Sequence, residues 1–337
     1  MRRRYWISCG IVAVVAGVYL YNAGWRAPPL QNPELRLIAH RGVHQTYDRG
    51  NLNNDTCTAE RIFPPTHGLL ENTIASINFA FAAGADIVEL DVHPTTDGQF
   101  AVMHDWTVDC RTEGTGETRS HSMAELKALD IGFGYTADGG QTYPLRGAGL
   151  GMMPELKEVL EAFPDRRFLV NFKSRERREG DMLAALLSQH PEWRRAIWGA
   201  YGGDEPTFRA AEQIDGLHVW SRRGLLECLL AYMGLGWTGF VPEACRQTKV
   251  MIPINIAPYV WGWPNLLQQR LASVGSEIIL LGPYGAGDPG TAGIDDLQTL
   301  ARVPGGFNGY IWTNKIELVG PAAKGMPPPR LPASPAN

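Results

Sequence analysis

Four short stretches bring together residue types that can do chemistry. His40-Arg41-Gly42 closes the apolar run LRLIAH, and Glu89 and Asp91 alternate with Val88, Leu90 and Val92. His104-Asp105 follows FAVM, and Asn171 and Lys173 stand two apart in FLVNFK. Side chains alternate along a strand, so Glu89, Asp91 and His93 share one face while the valines and leucine take the other. Two buried, unpaired acids would cost several kcal/mol, so something positive is expected between them. Histidine moves protons near neutral pH, arginine's planar fork matches phosphate, and carboxylates hold hard cations. A single histidine at a strand end has an ordinary structural explanation. Four successive strand ends carrying such residues point to one site.

The elements that must position these residues alternate between two periods. LRLIAH reads as a strand, ENTIASINFAFAAGA as a helix, DIVELDV as a strand, and FAVMHD as a third strand after the Asp97-Gly98 turn. A loop-rich insertion then runs to about residue 152 and contains the short helix SMAELKALD. Further on come PELKEVLEAF (helix), FLVNFK (strand), GDMLAALLSQH (helix), AIWGAY (strand), EPTFRAAEQI (helix), LHVW (strand), EIILLG (strand) and YIWTN (strand). Repeated strand-helix units predict a parallel α/β architecture, and about eight principal strands in one domain favour a TIM (β/α)8 barrel. No glycine-rich nucleotide fingerprint opens a helix, which argues against a doubly wound sheet. Active sites of barrels lie at the C-terminal strand ends, where these polar residues fall.

A net charge of −4 carries no basic field of the kind a nucleic-acid binder needs, so nucleic acid is not an expected partner. The N-terminus is a different kind of segment. Arg2, Arg3 and Arg4 precede an apolar stretch ending near Tyr21, with Trp6, Tyr19 and Tyr21 suited to a membrane interface. Residues 1–21 are read as one N-terminal transmembrane helix and anchor, with an uncleaved or cleaved signal as the competing reading. By the positive-inside rule the remainder crosses to the periplasmic or extracytoplasmic side of a bacterial-type inner membrane. Residues 22–34 form a linker, 35–318 the barrel, and 319–337 a disordered proline-rich tail. Cys57, Cys110, Cys228 and Cys245 allow three pairings in an oxidising compartment. Cys57 with Cys110 is the expected pair, each in a loop after a polar strand end, and buried free thiols are the alternative.

IAHRG, ENTIAS, GADIVELDVHPTTDG and AVMHDWTVDCRTEGTG, in that order and spacing, resemble the glycerophosphodiester phosphodiesterase family. The resemblance covers residues 35 to 318 and is most specific over the first 85. It implies a TIM barrel that hydrolyses glycerophosphodiesters to an alcohol and a glycerol phosphate with one divalent cation, Ca²⁺ or Mg²⁺. Carried onto this chain, it implies that His40 and His104 are the acid/base pair. Arg41 and Lys173 then face the substrate phosphate, and Glu89 and Asp91 are metal ligands. Glu71, Asn72 and Asp105 support the site.

One departure stands out. The family has a carboxylate as third metal ligand on the strand where this chain has Asn171, whose amide oxygen suits Ca²⁺ but adds no charge. A weaker metal site, or a barrel that binds phosphodiesters with little turnover, is the consequence to be tested. The stretches LLECLLAYMGLGWTGFVPEA and IPINIAPYVWGWPNLL are apolar and resemble mammalian lysophospholipase D members of the family. They suggest a lysophospholipid substrate and contact with a membrane surface.

Overall fold

A computed structural model describes residues 2–52, 56–285 and 292–334 of the chain, with the side chains of residues 2–5 outside that description. The charge of Arg2, Arg3 and Arg4 therefore bears on no structural statement. Nine strands form one sheet: β1 (Leu35–His40), β2 (Ile87–Pro94), β3 (Phe100–Val102), β4 (Phe168–Phe172), β5 (Ile197–Gly202), β6 (His218–Val219), β7 (Lys249–Pro253), β8 (Glu277–Leu281) and β9 (Gly309–Thr313). Eight of them run parallel in the order β6-β5-β4-β2-β1-β9-β8-β7, a nearly closed TIM-like barrel in which β6 and β7 are the two unpaired edges.

The expected third barrel strand is not one. β3 pairs antiparallel with β2, Val92 opposite Val102, and the third parallel strand is β4. The cause is local. Thr95 Oγ1 donates to Asp97 Oδ1, Gly98 takes φ +78°, and the chain returns at once. A tight turn can only join antiparallel neighbours, whereas a parallel pair needs a long crossover. His104 thus stands on a loop beyond a hairpin, outside the barrel ladder.

Strand alternation separates two cores. Leu37, Ala39, Val88, Leu90, Val92 and Val170 pack outward against the helices. Ile38, Ile87, Leu169, Ile279 and Tyr310 fill the lumen. All eight residues of β2 are buried, as a parallel strand covered on both faces requires. Glu89 and Asp91 share the parity of Ile87 and so enter the lumen above it. A third core lies over the barrel mouth and joins residues 47–70 to the insertion, with Tyr47, Leu70, Met103, Val108, Leu126, Tyr135 and Leu145 at its centre. The short helix expected there is present as Met123–Lys127, opened by a Ser122/Glu125 capping box.

The N-terminal segment is helical from Arg2 to Tyr21 and exposes Trp6, Ile11, Val12, Val15 and Tyr19. Among the described residues no helix is long and apolar enough to cross a membrane, so the expected span is unsupported as a span. Its end is tied to the barrel: Asn22 Nδ2 donates to the Trp237 carbonyl (2.8 Å), and Arg270 Nη1 to Asn22 Oδ1 (2.9 Å). At the other terminus the last helix, Ile316–Lys324, continues past residue 318, where a disordered tail was expected. Lys324 Nζ holds the Leu35 carbonyl and Asp86, and Pro332 accepts from Gly68 N.

Two disulfides form, Cys57–Cys110 and Cys228–Cys245, and Cys9 is free. Cys228–Cys245 closes 17 residues within the outer core, which by loop entropy stabilises the fold by about 3 kcal/mol. Replacing both cysteines with alanine should lower unfolding free energy by about that amount in non-reducing denaturant titrations. An unchanged midpoint would show that this loop is held by packing alone.

Candidate active site

The site assembles around the two acids of β2. Asp91 Oδ1 accepts from Asn171 Nδ2 (2.8 Å) and lies 3.4 Å from Lys173 Nζ. Its Oδ2 accepts from Asn72 Nδ2 (3.1 Å) and lies 3.2 Å from Arg41 Nε. Burial opposes ionisation of Asp91, but Lys173 and Arg41 outweigh it and hold its pKa below the usual carboxylate range. Glu89 is treated differently. Its Oε1 accepts from the Tyr201 hydroxyl (2.7 Å), while Oε2 is buried without a hydrogen-bond partner, 3.9 Å from His40 Nε2. Burial and the charge of Asp91 push the Glu89 carboxyl upward. Two acids thus sit side by side with fixed positive charge concentrated on one of them.

Arg41 reaches this place because the chain turns left-handed directly after β1. Arg41 has φ +60° and Gly42 φ +77°; a Cβ on Gly42 would lie 2.5 Å from Ser76 Oγ. The guanidinium is 4% exposed and reaches Glu71 Oε1 (3.2 Å), Asp91 and His40 Nε2 (3.1 Å). Burial works against its charge, and Glu71 and Asp91 more than restore it. Glu71 is held between Arg41 and Arg111, and its pKa is lowered against burial by Arg111 and Arg41.

Each histidine has its own partner. His40 Nδ1 lies 2.6 Å from Asn314 Oδ1, and Asn314 Nδ2 donates to Asp295 Oδ2 (2.8 Å). The carboxylate can only accept, so the Asn314 oxygen faces His40, and Nδ1 carries the ring proton. Nε2 is left with its lone pair toward the Arg41 Nε–H. Burial and the Arg41 charge hold His40 well below an ordinary histidine pKa. Trp312 packs on its ring at 4.9 Å. His104 Nδ1 meets Asp105 Oδ1 at 2.6 Å. Burial, then Arg41 and Lys173, lower His104 as well, against Asp91 and Glu71.

All the residues singled out from the sequence therefore converge here, except Cys57 and Cys110, which lie behind the loop carrying His104. His93, on the inward face of β2, supports that loop: its ring packs on Trp106 at 5.8 Å, and Nε2 lies 3.5 Å from the His104 carbonyl. Sequence reasoning missed Tyr201, Arg111, Asn314 and Asp295. Asn314 was within reach, because YIWTN is a barrel strand ending in a polar residue, the same signal that marked the other strands.

Among the described residues no three His, Cys, Asp or Glu side chains gather as a metal cluster; two carboxylates and the Asn171 amide stand together instead. The partnerless, buried Glu89 Oε2 is an acceptor that a cation would satisfy. The residues fit a cation bound by fewer charges than three carboxylates would bring.

Comparison with known proteins agrees with this geometry. The model of the glycerophosphoryl diester phosphodiesterase family matches residues 40–185. A glycerophosphodiester phosphodiesterase of Caldanaerobacter subterraneus is 42% identical over 103 residues, 31% of this chain and 39% of that protein. Rat lysophospholipase D GDPD1 is 28% identical over 179 residues, 51% of this chain and 53% of that protein. The chain thus spans from two-fifths to about half the length of these relatives. In fold, a glycerophosphoryl diester phosphodiesterase structure from Silicibacter pomeroyi superposes with TM-score 0.57 at 17% identity, covering 90% of this chain and 98% of that one. A phosphodiesterase from Oleispira antarctica, solved with the product sn-glycerol-3-phosphate, does so with TM-score 0.52 at 16% identity, covering 90% and 99%. The matched segment contains both histidines, Arg41, both β2 acids and Lys173, and over it the chain is similar to the glycerophosphodiester phosphodiesterase family.

Proposed function

We propose that this protein is a phosphoric diester hydrolase that cleaves glycerophosphodiesters or lysophospholipids, releasing an alcohol and a glycerol phosphate or lysophosphatidate. One observation carries the reading. A buried histidine, His40, and a half-buried one, His104, each with Nδ1 on a protein oxygen, share a single patch of charge with Arg41, Lys173 and Asp91.

An anionic phosphate is drawn to Arg41 and Lys173, where fixed cations in a low-dielectric site neutralise charge that grows during attack on phosphorus. His40, neutral and with its Nε2 lone pair held by Arg41, accepts the proton of the attacking hydroxyl once that hydroxyl takes the place of the Arg41 N–H. Asp105 stabilises the charged form of His104. Entry of the phosphate offsets the two cations that depress it, so His104 can return a proton to the leaving oxygen. Ca²⁺ or Mg²⁺, held by Glu89, Asp91 and Asn171, would add charge neutralisation at the phosphate oxygens.

The apolar stripe supports a lipid substrate. Leu226, Leu230 and Met233 recur on the outer face of the helix Arg222–Leu235, and Trp237 and Phe240 continue it beside the point where the N-terminal helix joins the barrel. In this reading the N-terminal helix anchors the protein to a membrane, the stripe touches the lipid surface, and the barrel works outside the cytoplasm, where its two disulfides persist. The second reading, a barrel that binds such lipids with little turnover, rests on Asn171 alone.

Three outcomes check the proposal. Head-group release from lysophosphatidylcholine and glycerophosphocholine should require Ca²⁺ or Mg²⁺ and stop in EDTA. A faster reaction on the acylated substrate supports the lipid reading, and equal rates would sink it. His40→Ala and His104→Ala should each lower kcat by about 10²- to 10⁴-fold; near-full activity in either would remove that residue from the chemistry. Because His40 is held below the ordinary value of 6.5, the acid limb of kcat/KM, set by its protonation, should lie below that value. An acid limb at or above 6.5 would contradict the assignment.

A further inference from the structure

The two histidines are held by different parts of the fold. His40 ends a barrel strand, and the sheet itself aims it. His104 lies beyond the β2–β3 hairpin, where no ladder reaches, so its orientation must come from the core over the barrel mouth. One side chain there connects everything. Arg111 is 2% exposed, among the most deeply buried charged groups in the chain. Its Nε donates to Asp105 Oδ2 (2.7 Å), and Asp105 Oδ1 meets His104 Nδ1 (2.6 Å). Its Nη1 lies 3.3 Å from Glu71 Oε2 and also donates to the Tyr135 hydroxyl, while Nη2 donates to Thr58 Oγ1 (2.6 Å).

Four partners on four separate segments are thus satisfied by one planar fork, which only arginine provides. The disulfide lies directly beside it. Cys57 and Cys110 each precede one end of the Arg111–Thr58 bond, so the covalent bridge and the hydrogen bond join the same two loops. Gly134 closes the third side: its N–H donates to the Arg111 carbonyl, and a Cβ there would lie 2.0 Å from the Cys110 oxygen. Charge is balanced as well. Glu71 pairs with Arg41 and Arg111 and Asp105 with Arg111, and removing Arg111 would leave the half-buried Asp105 without its cation.

We propose that Arg111, clipped to Thr58 by the Cys57–Cys110 disulfide, is a positioning residue that aims His104 through Asp105, and that reducing this disulfide loosens that aim. The inference rests on the reading of His104 as a proton-transfer residue, and it makes the activity dependent on an oxidised cap.

The test has two arms on the full-length protein. In proton NMR, the short His104 Nδ1–H to Asp105 bond should give a resonance well downfield of the amides, identified by its loss in His104→Gln. It should shift or broaden in Arg111→Lys, and also in the wild type once Cys57–Cys110 is reduced. In kinetics on glycerophosphocholine, both changes should lower kcat about tenfold or more with KM within about twofold, as a misaimed catalytic group does. Wild-type protein reduced and reoxidised should recover both signals, which keeps the test valid if Arg111→Lys folds poorly. An unchanged resonance in the variant and in the reduced protein would overturn the proposal. A wild type showing the resonance but no turnover would overturn the phosphodiesterase reading instead, leaving the positioning role standing.

Discussion

The arrangement depends on one constraint: Glu89 and Asp91 point into the lumen of a barrel that otherwise fills with isoleucine, leucine and aromatic rings. Ionised acids in such a place must be compensated locally. Much of what surrounds them follows from that requirement. Arg41 and Asn72 both adopt left-handed backbone, φ +60° and +58°, and both side chains reach Asp91. Such conformations cost about 1–2 kcal/mol each for residues other than glycine, and they persist because the contacts at Asp91 over-determine them. Asn171 of β4, in register with Asp91, and Lys173 just past the end of that strand complete the shell.

The compensation is uneven, and the unevenness is informative. Asp91 has two cations and two amides, whereas Glu89 has a phenol and one oxygen that, among the described residues, takes no hydrogen bond and lies 3.9 Å from His40 Nε2. A structural ion-pair network would distribute partners more evenly. The proposed function accounts for this: a cation site beside an anionic substrate would leave an acceptor open on one side and cations facing the other. Asn171 belongs to this argument: an amide in place of a third acid lowers the charge available to a cation, and its nitrogen is spent on Asp91.

How much of this was legible in the sequence varied with the range of the interaction. Strand parity placed Glu89 and Asp91 on one face correctly, because alternation is a property of consecutive residues. The barrel followed from repeated strand-helix units. FAVMHD was misread as a barrel strand because its length and apolarity suit either role; the turn at Thr95 to Gly98 decided it, through hydrogen bonds that strand counting ignores. Tyr201, Asn314 and Asp295 lay hidden for another reason. Tyr201 meets Glu89 across 112 positions of chain, and Asn314 meets His40 across 274. Tyr201 looks like any strand aromatic and Asp295 like any loop acid; only Asn314 carried the polar strand-end signal that marked the other strands. The tail beyond residue 318 looked unable to fold, yet its first residues continue a helix packed on the barrel.

The division of labour between barrel and cap accounts for the long, loop-rich insertion. It has little secondary structure, but it supplies a core, a disulfide and a buried arginine where the barrel ladder cannot reach. On the proposed function, the open side of the β2 acid pair is a cation site serving a phosphodiester. Calorimetric titration of Ca²⁺ into the full-length protein and into Glu89→Gln tests it most directly. One binding event is expected in the wild type and none in the variant. Equal heats in the two proteins would contradict it.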